Sequence, residues 1–192
     1  MLRAPWSALH PTGLARSIDH GFASVEEARA LLRTLGAPER LVRHVELVGE
    51  AADALVARLV TLRIPHDAQL VRLGVVFHDA GKIAHPAELS APGKLHEPAG
   101  ERMLLEAGVA PEVARCCLSH GRWDEMEVSF DELLVALADN LWKGKRNESL
   151  ERRVVEGAAL LLRAPFWDLF VPMDSLFEAI AAAGEDRLAR SV

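Results

Sequence analysis

The sequence predicts an all-α fold built as a single domain. Apolar residues recur at steps of three and four along most of the chain, and helix-start and helix-stop residues punctuate those runs. No segment alternates apolar and polar residues as a half-buried strand would. At 192 residues, half of them apolar, the chain is long enough for one real core and short for two ordinary domains.

Residues 1–22 contain Pro5, Pro11, Gly13 and Gly21 without periodic apolar spacing, and predict an irregular N-terminal arm ahead of a helical domain over 23–192. Ser24 before Val25-Glu26-Glu27 is a capping-box pattern, and Ala28, Leu31, Leu32 and Leu35 give the first helix an apolar stripe that Gly36 ends. Pro38 opens a second helix, whose stripe Leu41, Val45, Val48, Ala52, Leu55 and Leu59 reaches about Leu62 and also carries His44. Pro65 breaks it. Asp67 is a cap for a third helix predicted to run through Leu70, Leu73 and Phe77 to Gly81. The Pro- and Gly-rich stretch 83–95 reads as a loop, Pro98 opens a helix that Gly108 closes, and Pro111 opens another through Val113, Ala114, Cys117 and His120. Helices over 131–142, 148–163 and 175–189 complete a predicted seven to nine. The tail stripe Phe177, Ile180, Ala181 and Leu188 fits packing on the domain or on a second copy in a homodimer.

The formal charge of −6 argues against non-specific binding to a nucleic acid polymer, which needs a basic face. The only cysteines, Cys116 and Cys117, are adjacent and read as helix-face packing, so the fold does not depend on a disulfide. No uninterrupted apolar run approaches the ~20 residues of a membrane span, and the N-terminal residues show no cleavable leader. Together these give the expectation of a cytoplasmic protein.

Polar residues then stand where the pattern wants apolar ones. His78 and Asp79 follow the run Leu73-Gly74-Val75-Val76-Phe77, where unpartnered charge would be expensive. His44 lies on an apolar stripe, His120 shares a helix face with Val113, Cys116 and Cys117, and Asp139 interrupts Leu133-Leu134-Val135-Ala136-Leu137-Ala138. With His96 these form a set delivered from several helices or helix ends, which is how helical bundles build metal sites in their cores. The doublet His66-Asp67 is read differently, because Asp67 has a capping job. His10, His20 and His85 fall in predicted loops and receive no role.

The order His44, His78-Asp79, Asp139 resembles the HD superfamily of metal-dependent phosphohydrolases, over roughly 38–146, with the helices of 148–190 following. His96 and His120 stand where the binuclear branches add two histidines. The resemblance implies two divalent metals (Mn, Fe, Co or Mg) held by His44, His78, Asp79, His96, His120 and Asp139, with Asp79 bridging and a metal-bridging hydroxide cleaving a phosphate ester or anhydride. Lys82, three residues past Asp79, joins Asp79 in the catalytic set. The stretches Ser119-His120-Gly121-Arg122 and Leu134–Asn140, followed by Lys143, Lys145 and Arg146, resemble bacterial HD proteins that hydrolyse diadenosine tetraphosphate. That likeness implies a small phosphorylated substrate of nucleotide type, bound by Lys82, Arg122, Lys143, Lys145 and Arg146. The two threonines of that subgroup are absent, and Leu141-Trp142-Lys143 replaces its acidic-proline stretch. The same ligand set also serves HD-type di-iron oxygenases, and a regulatory HD module that senses a nucleotide is the third reading.

Overall fold

The computed structural model describes residues 20–191. Regular structure among them is helical throughout, in ten α-helical segments and two short 3₁₀ turns. Helix α1 (Val25–Thr34) has the predicted cap: the Ser24 hydroxyl accepts from the Glu27 N–H, and the Glu27 carboxylate accepts from the Ala23 N–H at 2.8 Å. Helix α2 (Glu39–Thr61) buries the whole predicted stripe from Leu41 to Leu59. Asp67 caps α3 (Ala68–Phe77), accepting from the N–H groups of Gln69 and Leu70 at 3.0 Å each.

The third helix ends at Phe77, short of the predicted Gly81, and the chain tightens into a 3₁₀ turn over Ala80–Ile83. Gly81 is not a left-handed stop. A side chain there would collide with the His96 carbonyl, and one at Gly100 would meet the Gly81 nitrogen at 2.8 Å. This glycine pair lets the turn lie directly on the backbone of α4 (His96–Glu106). That helix starts two residues before Pro98, which sits in the first turn where its missing N–H has no intrahelical partner to lose. The second 3₁₀ turn, Pro86–Leu89, presents Glu88, whose carboxylate accepts from the N–H groups of Leu95 and His96 at 3.2 and 3.1 Å.

The single helix predicted from Pro111 is divided at Arg115 into α5 (Pro111–Ala114) and α6 (Cys116–Arg122). Helix α7 (Phe130–Leu141) opens on a full capping box between Ser129 and Glu132, and α8 (Glu148–Leu162) on Asn147. The tail departs most from expectation. Helix α9 (Phe166–Ala182) begins well before the predicted Ser175 and runs through Pro172, and α10 (Gly184–Ala189) turns off behind it. Leu169, Met173, Phe177 and Ile180 are buried at helical steps, and this packing outweighs the backbone bond that Pro172 removes. Phe177 and Ile180 thus pack into the domain core, while Leu188 stays exposed.

Two apolar clusters meet along α2. Leu41 and Val45 join α1, α4 and α5 in one, and the residues from Leu47 onward join α7, α8 and α9 in the other. Of the predicted N-terminal arm, residues 1–19 lie outside the described residues. His20 is buried, with its ring bonded to Asp67 and Glu112, and Phe22 packs on Phe77 at 5.5 Å. No helix among the described residues is long and apolar enough to cross a membrane.

Candidate metal centre

The six polar residues singled out in sequence converge where the two apolar clusters meet. They form two triads, His44 with His78 and Asp139, and Asp79 with His96 and His120; within each, the donor atoms lie within 4.8 Å of one another. Asp79 links them. Its Oδ2 is 3.1 Å from His44 Nε2 and 3.6 Å from His78 Nε2, while its Oδ1 is 3.2 Å from His96 Nε2 and 3.7 Å from His120 Nε2. Asp139 Oδ1 completes the first group at 3.6 Å from both His44 Nε2 and His78 Nε2.

The rings are held from behind. His78 Nδ1 lies 2.8 Å from the Val75 carbonyl and His120 Nδ1 3.1 Å from the Cys116 carbonyl. A carbonyl only accepts, so each Nδ1 carries a proton, and in the neutral ring that a metal requires Nε2 is the bare nitrogen turned inward. His96 Nδ1 is 2.5 Å from Glu88 Oε2, which sets the same tautomer. Glu88 therefore does two jobs, capping α4 and orienting His96. Its position in a loop, ahead of the helix it caps, left no periodic signal in the sequence; only the spacing of a carboxylate before a helix start could have pointed to it.

Electrostatics agree with a cation-seeking site. Asp79 is 2 % exposed; burial raises its carboxyl, yet the surrounding histidines outweigh this and hold it well below the carboxylate range. Asp139 follows the same balance and is also held below the usual range. For His78, burial acts downward and the two carboxylates more than reverse it. His120 is pushed down to about 4 by burial and then by His78, so its ring is neutral near pH 7. Four imidazoles and two carboxylates, with inward nitrogens and a His96 Nε2 that has no hydrogen-bond partner, fit a divalent metal of mixed N and O preference.

A scan of family models matches the HD domain over residues 41–158. The chain belongs to the HD domain family. Searches of curated proteins and of solved structures return no match. HD domains bind divalent metals and are typical of metal-dependent phosphohydrolases. The two triads of this HD domain supply the residues that could hold such ions.

The HD site opens into a cavity of about 1030 Å³. Its wall carries six cationic side chains (Arg40, Arg43, Lys82, Lys94, Lys143 and Lys145) against four carboxylates (Glu39, Asp79, Glu97 and Asp139), although the chain as a whole is acidic. Lys82 Nζ lies 2.5 Å from Asp79 Oδ2, and Lys143 Nζ 3.4 Å from Asp139 Oδ2. Two residues expected to contact substrate are placed elsewhere. Arg122 is absent from the wall and donates to Glu97, a buried carboxylate that needs a cation of its own. Arg146 forks onto Glu151 at 2.7 and 2.8 Å and reaches Asp174 at 2.5 Å, joining α8 to α9. Arg40, one helical turn before His44 on the same face of α2, and Arg43, about 100° round the helix from it, also line the cavity. Trp142 lines it as well, edge-on to the His44 ring at 5.0 Å.

Proposed function

We propose that this HD domain is a metal-dependent phosphohydrolase that holds two divalent ions across Asp79 and cleaves a small phosphorylated substrate, of nucleotide type. The observation that carries the reading is the division of Asp79: one oxygen faces His44 and His78, the other His96 and His120. One carboxylate that turns a separate oxygen to each of two donor groups suits a pair of ions. Bound there, the ions would supply Lewis-acid charge and an activated water for attack on phosphorus.

The rest falls to the chain's own side chains. His44, His78 and Asp139 would hold one ion and His96 and His120 the other. The three backbone or carboxylate bonds behind His78, His96 and His120 keep bare nitrogens aimed inward. Lys82, fixed by Asp79, sets a cation beside the reacting phosphate, and Lys143 and Lys145 attract the substrate's remaining negative charge. The net cationic wall favours an anion carrying more than one charge over a neutral ester.

The test is product release from mononucleotides, cyclic nucleotides and dinucleoside polyphosphates with added Mn, run beside Asp79→Ala and beside protein stripped by a chelator. Cleavage of one class, lost in the variant and in stripped protein and restored by Mn, is expected. Metal bound in full with no product from any phosphate would overturn the reading, and oxygen uptake by iron-loaded protein would replace it with the oxygenase alternative.

A further inference from the structure

The turn that carries Lys143 and Lys145 is held in place by helices that lie beyond the matched HD segment. Arg187 on α10 is 5 % exposed, and its Nε donates to the Trp142 carbonyl at 2.9 Å while a terminal nitrogen donates to the Ile180 carbonyl. Among the described residues no carboxylate pairs with this guanidinium. A buried, unpaired cation is an expensive way to fill space, and an apolar side chain would fill it at lower cost. Its two contacts explain its presence. Trp142 follows the last residue of α7, where carbonyls lack helical partners and a cation complements the helix dipole. The planar fork reaches a second carbonyl on α9 at the same time.

The backbone of the turn is gripped from the same side. Gly144 has φ +76°, and a side chain added to Gly184 would collide with the Gly144 amide. A side chain at Gly144 would press on the Ala181 carbonyl at 3.2 Å. Helix α10 is itself anchored across the fold, because Arg190 forks onto Glu50 of α2 at 2.7 Å through both terminal nitrogens. Immediately on either side of Arg187's target lie the groups that face the cavity, Asn140 before it and Lys143 and Lys145 after it.

We infer that Arg187 is a positioning residue for substrate binding: from α10 it fixes the turn after α7 so that Lys143 and Lys145 face the cavity and meet the charge of a polyanionic substrate. The inference rests on the phosphate reading above for the identity of the ligand, but not for the restraint on the turn. It assigns a binding role to a segment outside the family match, in a side chain that touches neither substrate nor metal.

The experiment uses the full chain with Mn and compares wild type, Arg187→Met, Arg187→Lys, the pair Lys143→Ala with Lys145→Ala, and that pair combined with Arg187→Met. Two quantities are measured: amide hydrogen exchange over 142–147, and calorimetric affinity for inorganic tripolyphosphate. Arg187→Met should speed exchange in that turn by about tenfold or more while α2 and α3 keep their protection. It should also weaken tripolyphosphate about tenfold, with partial rescue in Arg187→Lys and no further loss when both lysines are already absent. Unchanged exchange in the turn of a folded Arg187 variant would overturn the inference, as would a loss that adds in full to that of the lysine pair. Gly184→Ala loads the same contact from its other side and replaces Arg187→Met if that variant does not fold. Wild-type protein that ignores tripolyphosphate would sink the phosphate reading, while the exchange result still decides the restraint.

Discussion

Helix α3 is bounded by the same dipeptide at each end, His66-Asp67 ahead of it and His78-Asp79 behind it, and the two meet opposite fates. At the N-terminus the helix offers free N–H groups, and Asp67 spends one oxygen on those of Gln69 and Leu70 and the other on His20 at 2.9 Å. His66 turns back onto the Ile64 carbonyl at 2.8 Å. At the C-terminus there are carbonyls instead of donors. One of them, Val75, fixes the His78 ring, and Asp79 finds no backbone N–H to satisfy it and faces four imidazoles and Lys82. Helix polarity therefore decides which doublet becomes a cap and which is free to serve chemistry.

Isosteric changes break this comparison most sharply. Asp79→Asn keeps the shape but removes the charge shared by both triads, and should lower activity by at least about a thousandfold with loss of bound metal, checked by turnover and metal analysis. Asp67→Asn should leave activity intact, because asparagine still caps, and should cost about 1–2 kcal/mol of stability through the weakened bond to His20, read from denaturant unfolding. If both variants lost metal equally, the contrast between the two ends would fail.

Smaller changes sharpen it. Glu88→Gln retains a cap acceptor for α4 but loosens the tautomer of His96, and metal affinity should fall about tenfold or more, measured by competition with a chelator. The smallest effect belongs to Asp131, which accepts from the Asp67 N–H at 2.9 Å beside the capping doublet. Burial, with Asp67 and Glu132 nearby, pushes its carboxyl up to about 6. A carboxyl raised on folding contributes stability that is complete below its ordinary value near 3.8 and is lost as pH rises through about 6. Asp131→Asn should therefore flatten the stability profile between those limits and gain no more than about 1 kcal/mol at pH 7, since the half-buried carboxylate is partly screened by water. Melting curves across that range test it.

Much of this could be read from the chain before any coordinates. Helical periodicity gave α2, α7 and α8 their places, because each buries a wide apolar stripe, and the polar residues standing on such stripes were His44, Asp139 and, beside them, the doublet. The Asp67 cap was legible because it depends only on neighbours in sequence. What depends on distant backbone was not. Gly81 looks the same in sequence whether it ends a helix or admits α4, and Pro172 looks like a breaker until Met173, Phe177 and Ile180 are seen buried around it. Arg122 and Arg146 were plausible anion grips by position, but the buried carboxylates Glu97 and Glu151 claim them, and such pairings between helices leave no pattern in sequence.

The close seat of Gly81 on Gly100 also says where this protein tolerates change. In a saturation library screened for function, both positions should read as fixed although neither bears a reactive group. The information they hold is a length, the gap between Asp79 and His96, written into the chain as the absence of two methyl groups.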